Sequence, residues 1–351
     1  AAAAAPIILN VVLIISLVYS YIKGLDYSKQ LSYGVTIAGI IQLFFLIYVS
    51  KKFYKPTIKF GLKLGSKVKF FFKKLLPSVL SSGVTQINIL VGTIIASFQT
   101  GAVSYLYYAD RVYQINLAIA GIAVGTVSLP VLSKAFKTKN EKKISNIQNK
   151  SFELSLLFSI PAGFGLILAS NEIINALFGY GSFSLNDVEM TAAALKFFGY
   201  GVPAFALIKI LSNFFFARDN TKIPFYISIF IVFLNILISV SLFNKIGFII
   251  IPIATSISTW AGVFAYIYLL NNRKILLLKN QLMINFIKIL ISTIIMSSIL
   301  LFSLNKFSYY LEYSYNYKAV YLISIVSFVG MFYLVSCYLL GILKLKNYKT
   351  N

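Results

Sequence analysis

Asp110 and Arg111 stand side by side within YLYYADRVYQINLAIAGIAVGTVSLP, residues 105–130, an apolar stretch long enough to cross a membrane. Carrying an arginine to the middle of a bilayer costs at least about 2.5–3.5 kcal/mol, so such a residue normally faces a polar cavity or a protein partner. The chemistry open to it is therefore the binding of a substrate or ion inside a helical bundle. The competing reading is structural, with Arg111 salt-bridged to another helix or snorkelling to the interface. Asp110 is not its partner on the same helix face, because neighbours one residue apart point about 100° away from each other.

Five more polar residues in apolar stretches are candidates to line a cavity: Gln86, Asn88, Lys209, Asn235 and Thr255. For the uncharged ones the simpler account is interhelical hydrogen bonding, worth about 0.6 kcal/mol each. Lys209 lies about two and a half turns before Arg218, within reach of the interface by snorkelling. Other chemistry is scarce. The chain has no histidine, nine scattered acidic residues, and one cysteine, Cys337, in its last apolar run. No disulfide or thiolate metal cluster is expected, and no catalytic residue, metal or cofactor.

The elements that must position these residues follow from composition. A mean hydropathy of +0.84 with 59% hydrophobic residues places the chain among all-α, polytopic membrane proteins. A net charge of +23 would suggest nucleic acid in a soluble protein, but here the lysines fall in the gaps between apolar runs, where they set topology. No nucleic-acid partner is expected. With about 20 residues needed per crossing, ten spans are predicted: 2–22, 31–50, 75–98, 103–131, 151–170, 191–216, 225–244, 247–270, 284–304 and 318–343. Of the 32 basic residues, 23 fall after the even-numbered spans and five in the opposite connections. The even connections, and both ends of the chain, are thereby predicted to be cytoplasmic.

Between spans two and three, lysines recur at 51, 55, 59, 63 and 67. That stripe suits either a surface-lying helix drawn to anionic lipid or a plain topogenic loop weakened as a helix by Pro56, Gly61 and Gly65. On the other side, residues 171–190 read as a long acidic connection with a turn at FGYGSF, and Asp187 as a helix N-cap.

Four segments resemble the MurJ (MviN) family of bacterial lipid II flippases: LLPSVLSSGVTQIN (75–88), SYLYYADRVYQINLAIAGIAVGTVSLPVLSKAF (104–136), LFGYGSF with the TAAAL helix after it (177–195), and GVPAFALIKILSNFFFARDNTKIP (201–224). The resemblance runs across nearly the whole chain and is most specific in the YYADR block and at FFFARDNTKIP. It implies a member of the multidrug/oligosaccharidyl-lipid/polysaccharide exporter superfamily, whose two six-helix lobes rock about a central cavity, followed by two extra helices. On that pattern residues 1–50 are the last two helices of the amino-terminal lobe, 51–74 a basic cytoplasmic linker, 75–270 the carboxy-terminal lobe, and 271–351 the extra pair with a basic tail. The first four helices of the pattern have no counterpart in this sequence.

The resemblance also implies a function: lipid II passing from the inner to the outer leaflet of the bacterial cytoplasmic membrane by alternating access, with membrane lipids around it. The family's Asp-Arg pair matches Asp110 and Arg111, as substrate-binding residues. Asp110 would hold an arginine of a neighbouring helix when substrate is absent. There are departures. Tyr180 stands where the family often has arginine. The spans carrying Asn88, Asn235 and Thr255 contain no carboxylate, which goes against the sodium site of some relatives, and the coupling ion stays open. The rivals are an exporter of other lipid-linked sugars or of drugs, a membrane enzyme acting on polyprenyl phosphates, and a non-transporting scaffold subunit.

Overall fold

In hydrocarbon every backbone N–H and C=O must find its partner within the protein, which leaves a chain of this composition with helices. The structure, a computed structural model, describes residues 5–51, 65–138, 140–273, 275–276 and 279–343. Twelve α-helices and no strand are present among them. The chain divides into two units, Ala1–Lys73 and Lys74–Asn351.

The first unit contains an antiparallel pair, α1 (Ala5–Lys23) and α2 (Tyr27–Ser50). Asp26 caps α2, its carboxylate accepting from the Ser28 backbone N–H at 2.8 Å. The pair closes where Gly34 meets Ser16: a Cβ on Gly34 would stand 2.5 Å from the serine Oγ. Lys55, Lys59 and Lys63 of the basic stripe lie outside the described residues, as do Lys344, Lys346 and Lys349 of the tail.

From residue 74 onward the second unit takes in the rest of α3 (Ser66–Ser97), then α4 (Ala102–Leu117), a π-helical segment (Ala118–Ala123), α5 (Val124–Lys137), α6 (Glu141–Leu168), α7 (Ser170–Phe178), α8 (Leu185–Phe216), α9 (Lys222–Ile246), α10 (Ile250–Asn272), α11 (Asn280–Lys306) and α12 (Lys318–Leu339). Eight described stretches are long and apolar enough to cross a membrane, and one of them, Lys222–Asn272, contains both α9 and α10. Nine of the ten predicted spans fall on these eight stretches, with α4 and α5 sharing one span and α9 and α10 taking one each; the span predicted at 75–98 falls on α3, which is not among them. Two features were not predicted. The connection at 171–190 contains α7, and Asp187 is not the N-cap of α8. Ser184 is, with Asp187 three residues on closing a capping box: the Ser184 backbone N–H donates to Asp187 at 2.8 Å.

The core is built round α8, which packs against α4, α5, α6, α7 and α10. Its Leu195, Val202, Ile210, Leu211 and Phe214 are fully buried, as expected of a helix that is apolar on all sides. The α6–α8 crossing depends on glycine. A Cβ on Gly163 would stand 2.9 Å from the Gly199 carbonyl oxygen, a backbone atom that cannot step aside.

The α4–α5 span is not a straight helix. It widens into the π segment and carries Pro130 inside α5, which removes a ladder hydrogen bond. Asn213 of α8 ties down the span beyond the π segment by donating to the Gly125 carbonyl at 2.8 Å, and Gly121 lets the Ala206 backbone approach closely. Lys318, which charge counting assigns to a connection, is buried at the start of α12. Its ammonium donates to the carbonyls of Gly179 at 2.6 Å and Tyr313 at 2.7 Å, tying the α7–α8 turn to the segment before α12.

Gly163→Ala is expected to cost about 1–3 kcal/mol by forcing α6 and α8 apart, read as a lowered melting temperature of the detergent-solubilised protein. Gly165→Ala, where an added Cβ meets nothing within 4 Å, should leave the melting temperature unchanged or raise it.

Candidate functional site

One face of α4 carries Val103, Leu106, Tyr107, Asp110, Arg111 and Gln114, the alternating three-and-one spacing of a helical stripe. The opposite face anchors the helix. Ala109, Val112 and Tyr113 are buried, and the Tyr113 ring stacks on Phe198 of α8 at 5.3 Å between centroids. At the head of α4 the Tyr105 hydroxyl donates to Asp187 at 3.0 Å, joining the starts of α4 and α8. With its rotation fixed in this way, α4 turns its polar stripe into a pocket of about 390 Å³ shared with α3, α8, α9 and α10.

The pocket brings together five of the seven residues singled out in the sequence: Asn88, Asp110, Arg111, Asn235 and Thr255. Gln86 and Lys209 are not in its lining, and both side chains are exposed elsewhere. Tyr107 and Gln114 were not singled out. Each sits three residues from one member of the charged pair and four from the other, and that spacing was the available signal.

Asp110 and Arg111 turn to different partners. The Asp110 carboxylate accepts from the Gln114 side-chain amide; no contact between it and an arginine is present among the described residues, where the ion pair found is Lys150 with Glu153. Within these residues the partner of Asp110 is a neutral amide one turn along the same helix. The Arg111 guanidinium lies 4.6 Å from the centre of the Tyr107 ring, a cation–π contact that steadies the group without neutralising it.

Across the pocket the polar residues are neutral and bonded to one another. The Asn235 amide donates to Thr255 Oγ1 at 2.9 Å, Thr255 donates to the Ile251 carbonyl at 2.7 Å, and Ser239 donates to Asn235 at 3.2 Å. The buried Oδ1 of Asn88 has no hydrogen-bond partner among the described residues. No group of three or more His, Cys, Asp or Glu side chains able to hold a metal occurs among the described residues. The pocket thus offers the Arg111 cation among neutral donors and acceptors, with the Asp110 carboxylate bonded to Gln114, which suits an anionic, hydroxyl-bearing ligand.

The other face of α4 borders a second, apolar cavity of about 490 Å³, where Val112 and Ile115 meet Phe158 of α6, Leu300 of α11 and Val326 and Tyr333 of α12.

Comparison with known proteins identifies the family. The family described as "Lipid II flippase MurJ" matches residues 1–322. The chain belongs to the MurJ family of lipid II flippases. Among curated relatives, the probable lipid II flippase MurJ of Rhizobium tropici is 35% identical over 86% of this chain and 57% of its own length. That of Rickettsia prowazekii is 36% identical over 93% of this chain and 63% of its own. The chain therefore spans somewhat under two thirds of either relative. Among solved structures, a lipid II flippase MurJ in an inward closed conformation superposes with a TM-score of 0.76 at 27% identity, over 95% of this chain and 66% of that one. An outward-facing multidrug resistance transporter of the MATE family shares the fold, with a TM-score of 0.53 at 13% identity over 74% of this chain. The chain is a multi-pass helical membrane protein of a transporter family.

Asn235→Ala removes the amide that joins α9 to α10. A loss of about 0.6–1.7 kcal/mol is expected, seen as a lowered melting temperature, and the same replacement in a Thr255→Ala background should cost markedly less.

Proposed function

We propose that this chain forms part of a transporter that carries lipid II from the inner to the outer leaflet of the bacterial cytoplasmic membrane by alternating access. The observation that carries the reading is the Arg111 guanidinium, which faces a polar pocket, lies against a tyrosine ring and meets no carboxylate among the described residues. Lipid II joins a polyprenyl tail to a sugar-peptide head through a diphosphate. A guanidinium stays charged and grips phosphate oxygens through two parallel hydrogen bonds, which is what such a group needs on entering a low-dielectric region. The neutral amides and hydroxyls of Asn88, Asn235 and Thr255 suit the head group, and the apolar cavity on the far side of α4 suits a prenyl chain. Family membership supports the same substrate.

In this reading the chemistry is binding and release, with no bond made or broken by the protein. The distribution of lysine and arginine supports cytoplasmic placement of both ends of this chain. Alternating access would expose Arg111 first to the cytoplasmic side and then to the outer side.

The test is complementation in a bacterium depleted of its lipid II flippase, using a complete gene carrying this sequence, with lipid II scored on the outer leaflet. The unaltered gene is expected to rescue. Arg111→Ala at equal protein level is expected to fail, and Lys209→Ala, outside the pocket, to rescue. Rescue by Arg111→Ala would overturn the site; failure of the unaltered gene would point to a different lipid-linked sugar.

A further inference from the structure

The Asp110 carboxylate is the one acidic group in the pocket lining, next in sequence to the cation that a diphosphate would need. A carboxylate in a low-dielectric space takes the best donor within reach, and an arginine is a stronger partner than any amide. Left to itself, Asp110 would compete with phosphate for Arg111. In the structure it lies within electrostatic range of Arg111 but forms no salt bridge with it among the described residues; its oxygen accepts instead from the side-chain amide of Gln114, one turn further along α4. Three other donors facing the pocket have partners of their own. The Asn235 amide is bonded to Thr255, the Thr255 hydroxyl to the Ile251 carbonyl, and Arg111 is laid over Tyr107.

We propose that Gln114 is a positioning residue for the anion site. Its amide holds the Asp110 carboxylate along the helix, away from the guanidinium, and so keeps the charge of Arg111 available to a diphosphate. Residues 110 and 114 are on one helix face, where side chains four apart meet, whereas 110 and 111 diverge by about 100°. Gln114 thus reinforces a separation that the backbone begins. A glutamine suits the task because it is a donor without charge: a lysine here would add a second cation, and an apolar residue would release Asp110. The inference rests on the reading of Arg111 given above.

The test uses the complete protein carrying this sequence, in nanodiscs of phosphatidylcholine, titrated with farnesyl diphosphate and with farnesol as the uncharged control. Gln114→Leu is expected to weaken diphosphate binding about tenfold and leave farnesol binding unchanged. In an Asp110→Asn background, where no carboxylate remains to turn onto Arg111, Gln114→Leu is expected to have no effect beyond about twofold. A Gln114→Leu defect that persists in that background would mean that Gln114 acts by packing or by touching the ligand itself, and would overturn the proposal. So would unchanged binding by Gln114→Leu in the native background, or loss of binding by Asp110→Asn alone. Gln114→Met replaces the leucine variant if that protein does not fold. Arg111→Ala separates the two readings: if it binds farnesyl diphosphate as the native protein does, the anion site itself is misplaced, whatever Gln114 does.

Discussion

The interior of this bundle is governed by how it answers polar groups where water is absent. Hydrocarbon supplies no hydrogen bond, so a donor or acceptor carried into it must be met by another part of the chain. Asn213 meets the Gly125 carbonyl, Asn235 and Thr255 meet each other across α9 and α10, and the Lys318 ammonium is held by two backbone carbonyls. Asp110 is met by Gln114. Against this background Arg111 stands out: its guanidinium has an aromatic face for company and no salt bridge among the described residues. A full charge left without an ion-pair partner is where a charged ligand has something to gain.

The membrane class and the spans were legible in the sequence because hydropathy and a fixed hydrocarbon thickness leave little choice about where helices run. Finer features were not. Nine residues of α7 are too few to register as a span, and they lie in a stretch whose glycines and acids read as loop. Asp187 drew attention as a cap because aspartate is a strong one, but Ser184, three residues earlier, takes that position and uses Asp187 as the reciprocal half of the box. Lys318 counted as a topogenic charge, and only the fold reveals that the α7–α8 turn folds over it.

The site was legible in outline. A charged pair inside an apolar run is hard to overlook, and Asn88, Asn235 and Thr255 do converge on it. Gln86 and Lys209 satisfied the same criterion of polarity within a span but face elsewhere, since polarity alone does not say which way a side chain turns. Gln114 and Tyr107 were passed over for the opposite reason. Neither is charged, yet each sits a helical turn from the pair and decides how it is held.

The π segment between α4 and α5 bears on the same site. A π turn accommodates roughly one residue more than an α turn, and in an α-helix each residue advances the azimuth by about 100°. The two halves of the span are therefore out of phase by about that angle relative to an uninterrupted helix. One half is keyed to α8 through Gly125 and Asn213, and the other carries the Asp110–Arg111 pair. The surplus residue between Leu117 and Val124 thus lets α4 keep the bearing that Tyr113 and Tyr105 give it while α5 keeps its own register against α8.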